Sequence, residues 1–179
     1  MPTTWVITHT DLDGVASAAI ILRIIGVAPD KARILFAEPY NHHNVLKGVV
    51  DGIDKDDLLV ICDLGLNKDT YESIKATLET VVKRGAVVEW YDHHVWDEEW
   101  INGIREAGVN LVVDRSTCAA GVVYKHAPRI HGTTPPTSLE ELVKATCAAD
   151  LWTWDHPLAP KLFRAVGRGE EEHGEAWKR

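Results

Sequence analysis

The sequence predicts an α/β protein with an open five-stranded parallel sheet and helices on both faces. Three observations lead there. Short β-rich runs alternate with runs of helical length from Trp5 to Val113, the β-α-β order that parallel sheets require. The run Leu58 to Cys62 (LLVIC) carries no polar alternation, as expected of a strand covered on both sides. Clusters of Asp and His also directly follow the first, third and fourth strand runs. The carboxyl ends of parallel strands are where open α/β sheets bind ligands.

The elements follow in order. Trp5 to Thr8 is an apolar strand, and Val15 to Val27 has helical length with Gly26 near its end. Arg33 to Ala37 is the second strand and Asn44 to Ile53 a short helix. After the third strand, Thr70 to Arg84 carries Tyr71, Ile74, Leu78, Val81 and Val82 as one helical stripe. Ala86 to Tyr91 is the fourth strand, Glu98 to Ala107 a helix and Asn110 to Val113 the fifth strand. Beyond Arg115 the strand signals stop. Thr117 to Lys125 and Ser138 to Leu151 read as helices, the second with Ser138 as its N-cap and Glu141 completing a capping box. Gly167 to Arg179 is charged and is expected to fray.

Length and charge narrow the function. The 179 residues suit one domain with a small appendage. The net charge is −8, a poor general platform for duplex DNA, whose affinity comes mainly from Lys and Arg. Bound cations can still reverse a local field and admit anions. Cys62, Cys118 and Cys147 form no CxxC pair and no even-numbered framework, so they are expected to be small core side chains in a reducing compartment. No run approaches the length of a bilayer span, and no secretion signal opens the chain; a cytoplasmic protein without membrane contact is expected.

The chemistry concentrates in a few motifs. His9-Thr10-Asp11-Leu12-Asp13-Gly14 follows the first strand, Asp63 the third and Asp92-His93-His94 the fourth. Asp150 ends a predicted helix, and Asp155 is a competing carboxylate nearby. Each alone reads equally well as a turn or capping residue; together they do not. If the first and third strands are neighbours, His9, Asp11, Asp13 and Asp63 converge. Carboxylates so close repel and raise one another's pKa unless cations intervene. An oxygen-rich set with imidazoles and no thiolate suits two Mn²⁺ or Mg²⁺ ions, with Asp63 able to bridge them. Such a pair would activate a water and stabilise charge on a phosphoryl group.

The order HTDLDG, VICDLG, WYDHH and AADLW resembles the four motifs of the DHH phosphoesterase superfamily. That group includes RecJ exonucleases, NrnA-type oligoribonucleases, cyclic-dinucleotide phosphodiesterases and family II inorganic pyrophosphatases. The resemblance implies a Rossmann-like DHH domain over residues 1–155, followed by a C-terminal helix and charged tail over 156–179. It implies that His9, Asp11 and Asp63 hold one metal, and that Asp13, Asp63, His93 and Asp150 hold the other. It also implies that His94 faces the substrate phosphate, that Asp92 orients the histidine pair, and that Arg115 and Thr117 lie near the site. The first motif is spaced HxDxD here, where many members have HxxxDxD. No GGGH-like segment of the usual C-terminal substrate domain occurs in the sequence, so either the chain is a fragment of a longer protein or a second copy or a partner subunit would supply substrate contacts.

The reading that results is a two-metal phosphoesterase for short oligonucleotides or cyclic dinucleotides. A pyrophosphatase-like hydrolase and a non-catalytic subunit of a nucleic-acid-processing assembly are the alternatives. Outside the motifs, Trp152 and Trp154 are read as packing residues or as a base-stacking pair. His42-His43 is read as a solvated loop pair, and His126, His131 and His156 as surface residues, with Lys125, Arg129 and His131 a solvated helix end.

Overall fold

A computed structural model describes residues 1–172. The elements are β1 (Thr4–His9), α1 (Leu12–Ile25), β2 (Ala32–Ala37), α2 (His42–Val49), β3 (Leu58–Cys62), α3 (Tyr71–Lys83), β4 (Val87–Asp92), α4 (Glu98–Glu106), β5 (Asn110–Val113), α5 (Ala119–His131), α6 (Glu140–Asp150) and α7 (Ala159–Glu172). All five strands run parallel in the order β2-β1-β3-β4-β5. β1 therefore lies between β2 and β3, at the point where strand order reverses, and its carboxyl end opens onto the crevice.

Strand alternation divides the interior into two layers. Trp5, Ile7, Leu59, Ile61, Val88, Trp90 and Leu111 face one side, where they meet Leu46 of α2, Ile74, Leu78 and Val81 of α3 and Ile104 of α4. Val6, Val60, Cys62 and Tyr91 face the other, against α1, α5 and the partly buried Leu142 and Val143 of α6. Each central strand thus buries both faces, which is why LLVIC shows no period of two. α7 packs through Ala159 against a small cluster with Leu12, Ala148 and Ala149.

The structure departs from the sequence reading at element ends. α1 starts at Leu12 rather than Val15, because the Asp11 carboxylate accepts from the Gly14 amide at 2.8 Å and caps the helix there. The HTDLDG motif is therefore half strand end and half first helical turn. α2 stops at Val49 and continues only as a 3₁₀ turn to Gly52. α5 runs on to His131 rather than stopping at Lys125; Pro128 is carried in its closing turns and costs the backbone bond to residue 124. Ser138 does not cap α6, since residues Thr137–Leu139 form a 3₁₀ turn and the helix begins at Glu140 without a side-chain cap. Residues 173–179 of the charged tail lie outside the described residues.

Gly14 ties the motif to the sheet. A Cβ placed on it would lie 2.0 Å from the His9 carbonyl oxygen, so the helix can approach the strand end this closely only with glycine at the contact. Gly14→Ala should force α1 away from β1 and cost about 1–3 kcal/mol of stability. A thermal midpoint unchanged from that of the wild type would refute the contact.

Candidate metal centre

The register of the sheet assembles the site. His9 pairs with Ala37 across β1 and β2, Thr8 with Cys62 across β1 and β3, and Cys62 with Tyr91 across β3 and β4. The residues after these positions, Glu38, Asp63 and Asp92, therefore reach the same edge as His9 and the first turn of α1. Asp63 continues the ladder by donating its amide to the Tyr91 carbonyl at 3.0 Å. It then turns at φ 57°, in the left-handed region that Asp tolerates better than most side chains. The segment behind it is fixed from below. The Trp90 indole donates to the Leu64 carbonyl at 2.7 Å, and His42 Nε2 to the Gly65 carbonyl at 2.8 Å. His42 is thus a buried strut, not a solvated loop residue, and burial holds its pKa down at about 4.

Three overlapping groups of side chains lie within reach of shared cations: His9 with Asp11 and Asp63, Asp13 with His93 and Asp150, and Asp63 with His93 and His94. His9 Nδ1 is 3.1 Å from Asp11 Oδ2 and 3.5 Å from Asp63 Oδ2. His93 Nε2 is 3.3 Å from Asp63 Oδ1, 3.4 Å from Asp13 Oδ2 and 3.7 Å from Asp150 Oδ2. Asp63 touches both histidines through different oxygens, and its buried Oδ2 accepts no hydrogen bond. A buried carboxylate oxygen without a donor is costly unless a cation meets it. The donor set of carboxylate oxygens and imidazole nitrogens fits a hard or borderline divalent ion.

The electrostatics show the same tension. Burial, then the Asp11 and Asp92 charges, push the Asp63 carboxyl well above the usual range. Burial also raises Asp13, together with the Asp63 and Asp150 charges, even though both Asp13 oxygens accept amides of the first turn of α5, Ala119 and Ala120, at 2.9 Å. Asp150 is raised by burial and by Asp11. Burial pulls His9 down, but the Asp11 and Asp63 carboxylates beside its ring outweigh this and lift it to about 11. Burial would raise Asp11, yet the same His9 contact brings it down to about 2. One charge set cannot satisfy all of these groups without protons or cations between them.

Asp92, fully buried, serves His94 rather than both histidines. Its Oδ1 takes His94 Nδ1 at 2.7 Å, and its Oδ2 takes the His94 amide at 3.2 Å and the Trp96 indole at 2.7 Å. With Nδ1 bonded to Asp92, Nε2 is the ring nitrogen left for other partners. The Asp92 hydrogen bond raises His94 to about 9. Asp150, not Asp155, lies at the cluster; Asp155 is exposed and bonded to Thr153 at 2.7 Å. Arg115 is exposed on the loop after β5 and belongs to none of the three groups.

The family comparison settles the kinship. The family described as DHH family, N-terminal domain, matches residues 3–149. The chain belongs to the DHH family. None of the curated proteins compared with it matches. An uncharacterized protein from Helicobacter pylori G27 superposes with a TM-score of 0.71 at 17% identity, over 97% of this chain and 51% of that one. RecJ in complex with Mn²⁺ from Thermus thermophilus gives 0.58 at 18%, over 92% and 24%. The PF0399 DHH domain, a member of the s1p family of ribosomal proteins, gives 0.56 at 20%, over 99% and 45%. The chain spans about a quarter to a half of the length of these neighbours, which share its fold. In this DHH domain the signature triplet is Asp92-His93-His94, at the end of β4.

Two features escape the sequence reading. Glu38 stands beside His9, with Oε2 3.0 Å from Nε2; the rule that acids at strand ends converge applies to it as well, but only the strand order puts β2 next to β1. The second is a correction. Cys118 and Cys147 are joined in a disulfide, and Cys62 alone is free. An odd cysteine count conceals a pair whose partners, 29 residues apart, meet only when α5 and α6 pack. Thr117 lies against this bond, its Oγ1 3.5 Å from Cys147 Sγ. The bond joins the N-cap of α5, whose amides hold Asp13, to the helix that ends in Asp150. Nor are the later histidines simply solvated: His126 pairs with Asp114 at 2.9 Å, His156 with Glu141 at 2.7 Å and His131 with the buried Glu89 at 2.8 Å. Among the described residues no helix is long and apolar enough to cross a membrane.

Two measurements check these contacts. In cation-free protein the His94 ring should titrate near pH 9 by NMR, against about 6.5 for a free imidazole. The stability from its pairing with Asp92 should be complete below pH 6.5 and fade as the pH rises through 9. Asp92→Asn should return the midpoint toward 6.5; an unshifted midpoint in the variant would exclude the pairing as its cause. Alkylation of protein unfolded without reductant should label one cysteine and, after reduction, all three. Cys118→Ser should cost about 2–4 kcal/mol of stability relative to the bonded form.

Proposed function

We propose that the protein is a divalent-cation-dependent phosphoesterase that hydrolyses the phosphodiester bonds of short oligonucleotides or cyclic dinucleotides. The observation that carries this reading is the buried Asp63 carboxylate, shared between His9 and His93 at the centre of three overlapping Asp and His groups. Membership in the DHH family supports it. So do two neighbours of the same fold described as RecJ with Mn²⁺ and as exonuclease RecJ bound to manganese. Mn²⁺ is the expected ion, with Mg²⁺ as its substitute.

In this reading His9, Asp11 and Asp63 hold one ion, and Asp13, Asp63, His93 and Asp150 hold the other. Two ions so placed supply water of lowered pKa and neutralise charge on the phosphoryl group. Asp13 keeps its place because the first turn of α5 donates two amides to it, leaving its remaining lone pairs for the ions. Asp63 is turned inward by its left-handed backbone and held from behind through Trp90 and His42. His94, fixed through Nδ1 by Asp92 and open to solvent, is placed to donate from Nε2 to a phosphate oxygen or to the departing alkoxide. The acidic chain suits a short substrate, whose few phosphates the ions can neutralise, better than a long duplex. Contacts to the rest of the substrate would come from outside this domain: a further stretch of the same protein, a second copy or a partner subunit.

Turnover should be measured with Mn²⁺ on a linear dinucleotide, a cyclic dinucleotide, bis-p-nitrophenyl phosphate and pyrophosphate. Cleavage of a diester is expected. Cleavage of pyrophosphate alone would make the protein a phosphoanhydride hydrolase, and no turnover with Mn²⁺ bound would make it a binding subunit. Asp63→Asn should lower turnover by about 10³-fold or more and abolish Mn²⁺ binding together, with circular dichroism unchanged. Full Mn²⁺ affinity in that variant would rule out a shared carboxylate.

A further inference from the structure

The geometry points to Glu38 as a positioning residue of the metal centre: it holds the proton of His9 on Nε2 and thereby commits Nδ1 to the cation. This rests on the metal-dependent reading above and adds a residue to it. Glu38 follows the last residue of β2, which pairs with His9 in the sheet register. Its Oε2 lies 3.0 Å from His9 Nε2, and its Oε1 accepts the Thr10 hydroxyl. Its own backbone is pinned, because its amide donates to Asn41 Oδ1 at 2.8 Å and its carbonyl accepts the amides of Asn41 and His42 at 3.0 Å. The carboxylate is therefore built in rather than draped over the surface.

A carboxylate can only accept at neutral pH, so the ring nitrogen it faces must carry the hydrogen. That fixes which hydrogen the ring keeps when it gives up the other one to a cation. Nδ1 also faces carboxylates, Asp11 Oδ2 at 3.1 Å and Asp63 Oδ2 at 3.5 Å. It therefore carries a hydrogen until a cation among those oxygens takes the place of that proton and meets the Nδ1 lone pair, while the Nε2 hydrogen stays on Glu38. The same contact stops the ring from flipping and makes Nδ1 more basic, the usual effect of a carboxylate behind a metal-bound histidine. Such partners are typically worth about 10–100-fold in metal affinity. The arrangement also distinguishes the two imidazoles of the centre. His93 presents Nε2 to Asp13, Asp63 and Asp150, whereas His9 would present Nδ1.

The test uses the full chain. Mn²⁺ affinity is read by electron paramagnetic resonance for the wild type, Glu38→Gln and Glu38→Ala, with circular dichroism as the fold check. Glu38→Ala should weaken binding of the more sensitive ion about 10–100-fold, and Glu38→Gln should weaken it less, because the amide oxygen still accepts from Nε2. Should Glu38→Ala fail to fold, Thr10→Val, which frees the carboxylate from one side, should still show a several-fold loss. Nitrogen-15 NMR of the protein loaded with diamagnetic Zn²⁺ should place the His9 proton on Nε2. Wild-type affinity in Glu38→Ala, or a His9 that carries its proton on Nδ1, would overturn this role while leaving the metal centre standing. Failure of the wild type to bind Mn²⁺ would overturn the phosphoesterase reading and this role with it.

Discussion

The constraint on which the molecule turns is charge crowding at the carboxyl edge of one sheet. Asp13 and Asp63 are almost wholly buried, and Asp11 and Asp150 stand close enough to raise or lower their protonation. A soluble domain has little reason to concentrate acids in this way, since each buried carboxylate gives up hydration that only a proton, a donor or a cation can replace. The rest of the architecture serves to hold the arrangement. α5 aims its first amides at Asp13, the left-handed turn at Asp63 follows a strand buried on both faces, and Asp92 sits behind His94 with no exposure of its own. Without a proton or a cation among them, these buried acids are a set of uncompensated costs.

The strand order explains why the crowding occurs where it does. With β1 between β2 and β3, a single strand end meets acids from both neighbours, Glu38 on one side and Asp63 on the other. Had β2 lain elsewhere in the sheet, His9 would have lost the contact at its back. The helices divide the labour in a similar way. α2, α3 and α4 cover the face filled by Trp5, Trp90 and Ile61, and α1, α5 and α6 cover the face that carries ligands into the crevice. The helix whose amides hold Asp13, α5, and the helix that ends in Asp150, α6, are also the ones linked by the disulfide.

The strands and the five-stranded parallel sheet are legible in the sequence because buried parallel strands leave continuous apolar runs that few other environments produce. The DHH kinship is legible for a different reason: four short motifs in order are improbable in combination. What escapes depends on three-dimensional adjacency. Asp11 reads as part of a loop, but its carboxylate starts α1 three residues early. Glu38 carries no motif of its own and acquires meaning only through register. Cys118 and Cys147 read as separate core residues because nothing local reports that α5 and α6 touch. His42 reads as solvated, since two adjacent histidines are polar, yet it fills the space beside Trp90, at 6.1 Å between ring centres. Asp150 and Asp155 are indistinguishable by spacing, and only the end of α6 separates them.

The cation-reaching groups come from four distant stretches of chain: 9–13, 63, 93–94 and 150. None of these stretches is near another until the non-local pairing of the sheet and the docking of α6 are complete. An unfolded chain therefore offers an ion at most the few ligands of one stretch, while the native chain offers all of them at once. Whatever ion settles there draws its binding energy from the folded ensemble alone and returns that energy as cohesion of the whole domain, in proportion to the logarithm of its concentration. With an ion bound by these groups, the ambient supply of free metal would be one of the variables that set how much of this protein is folded.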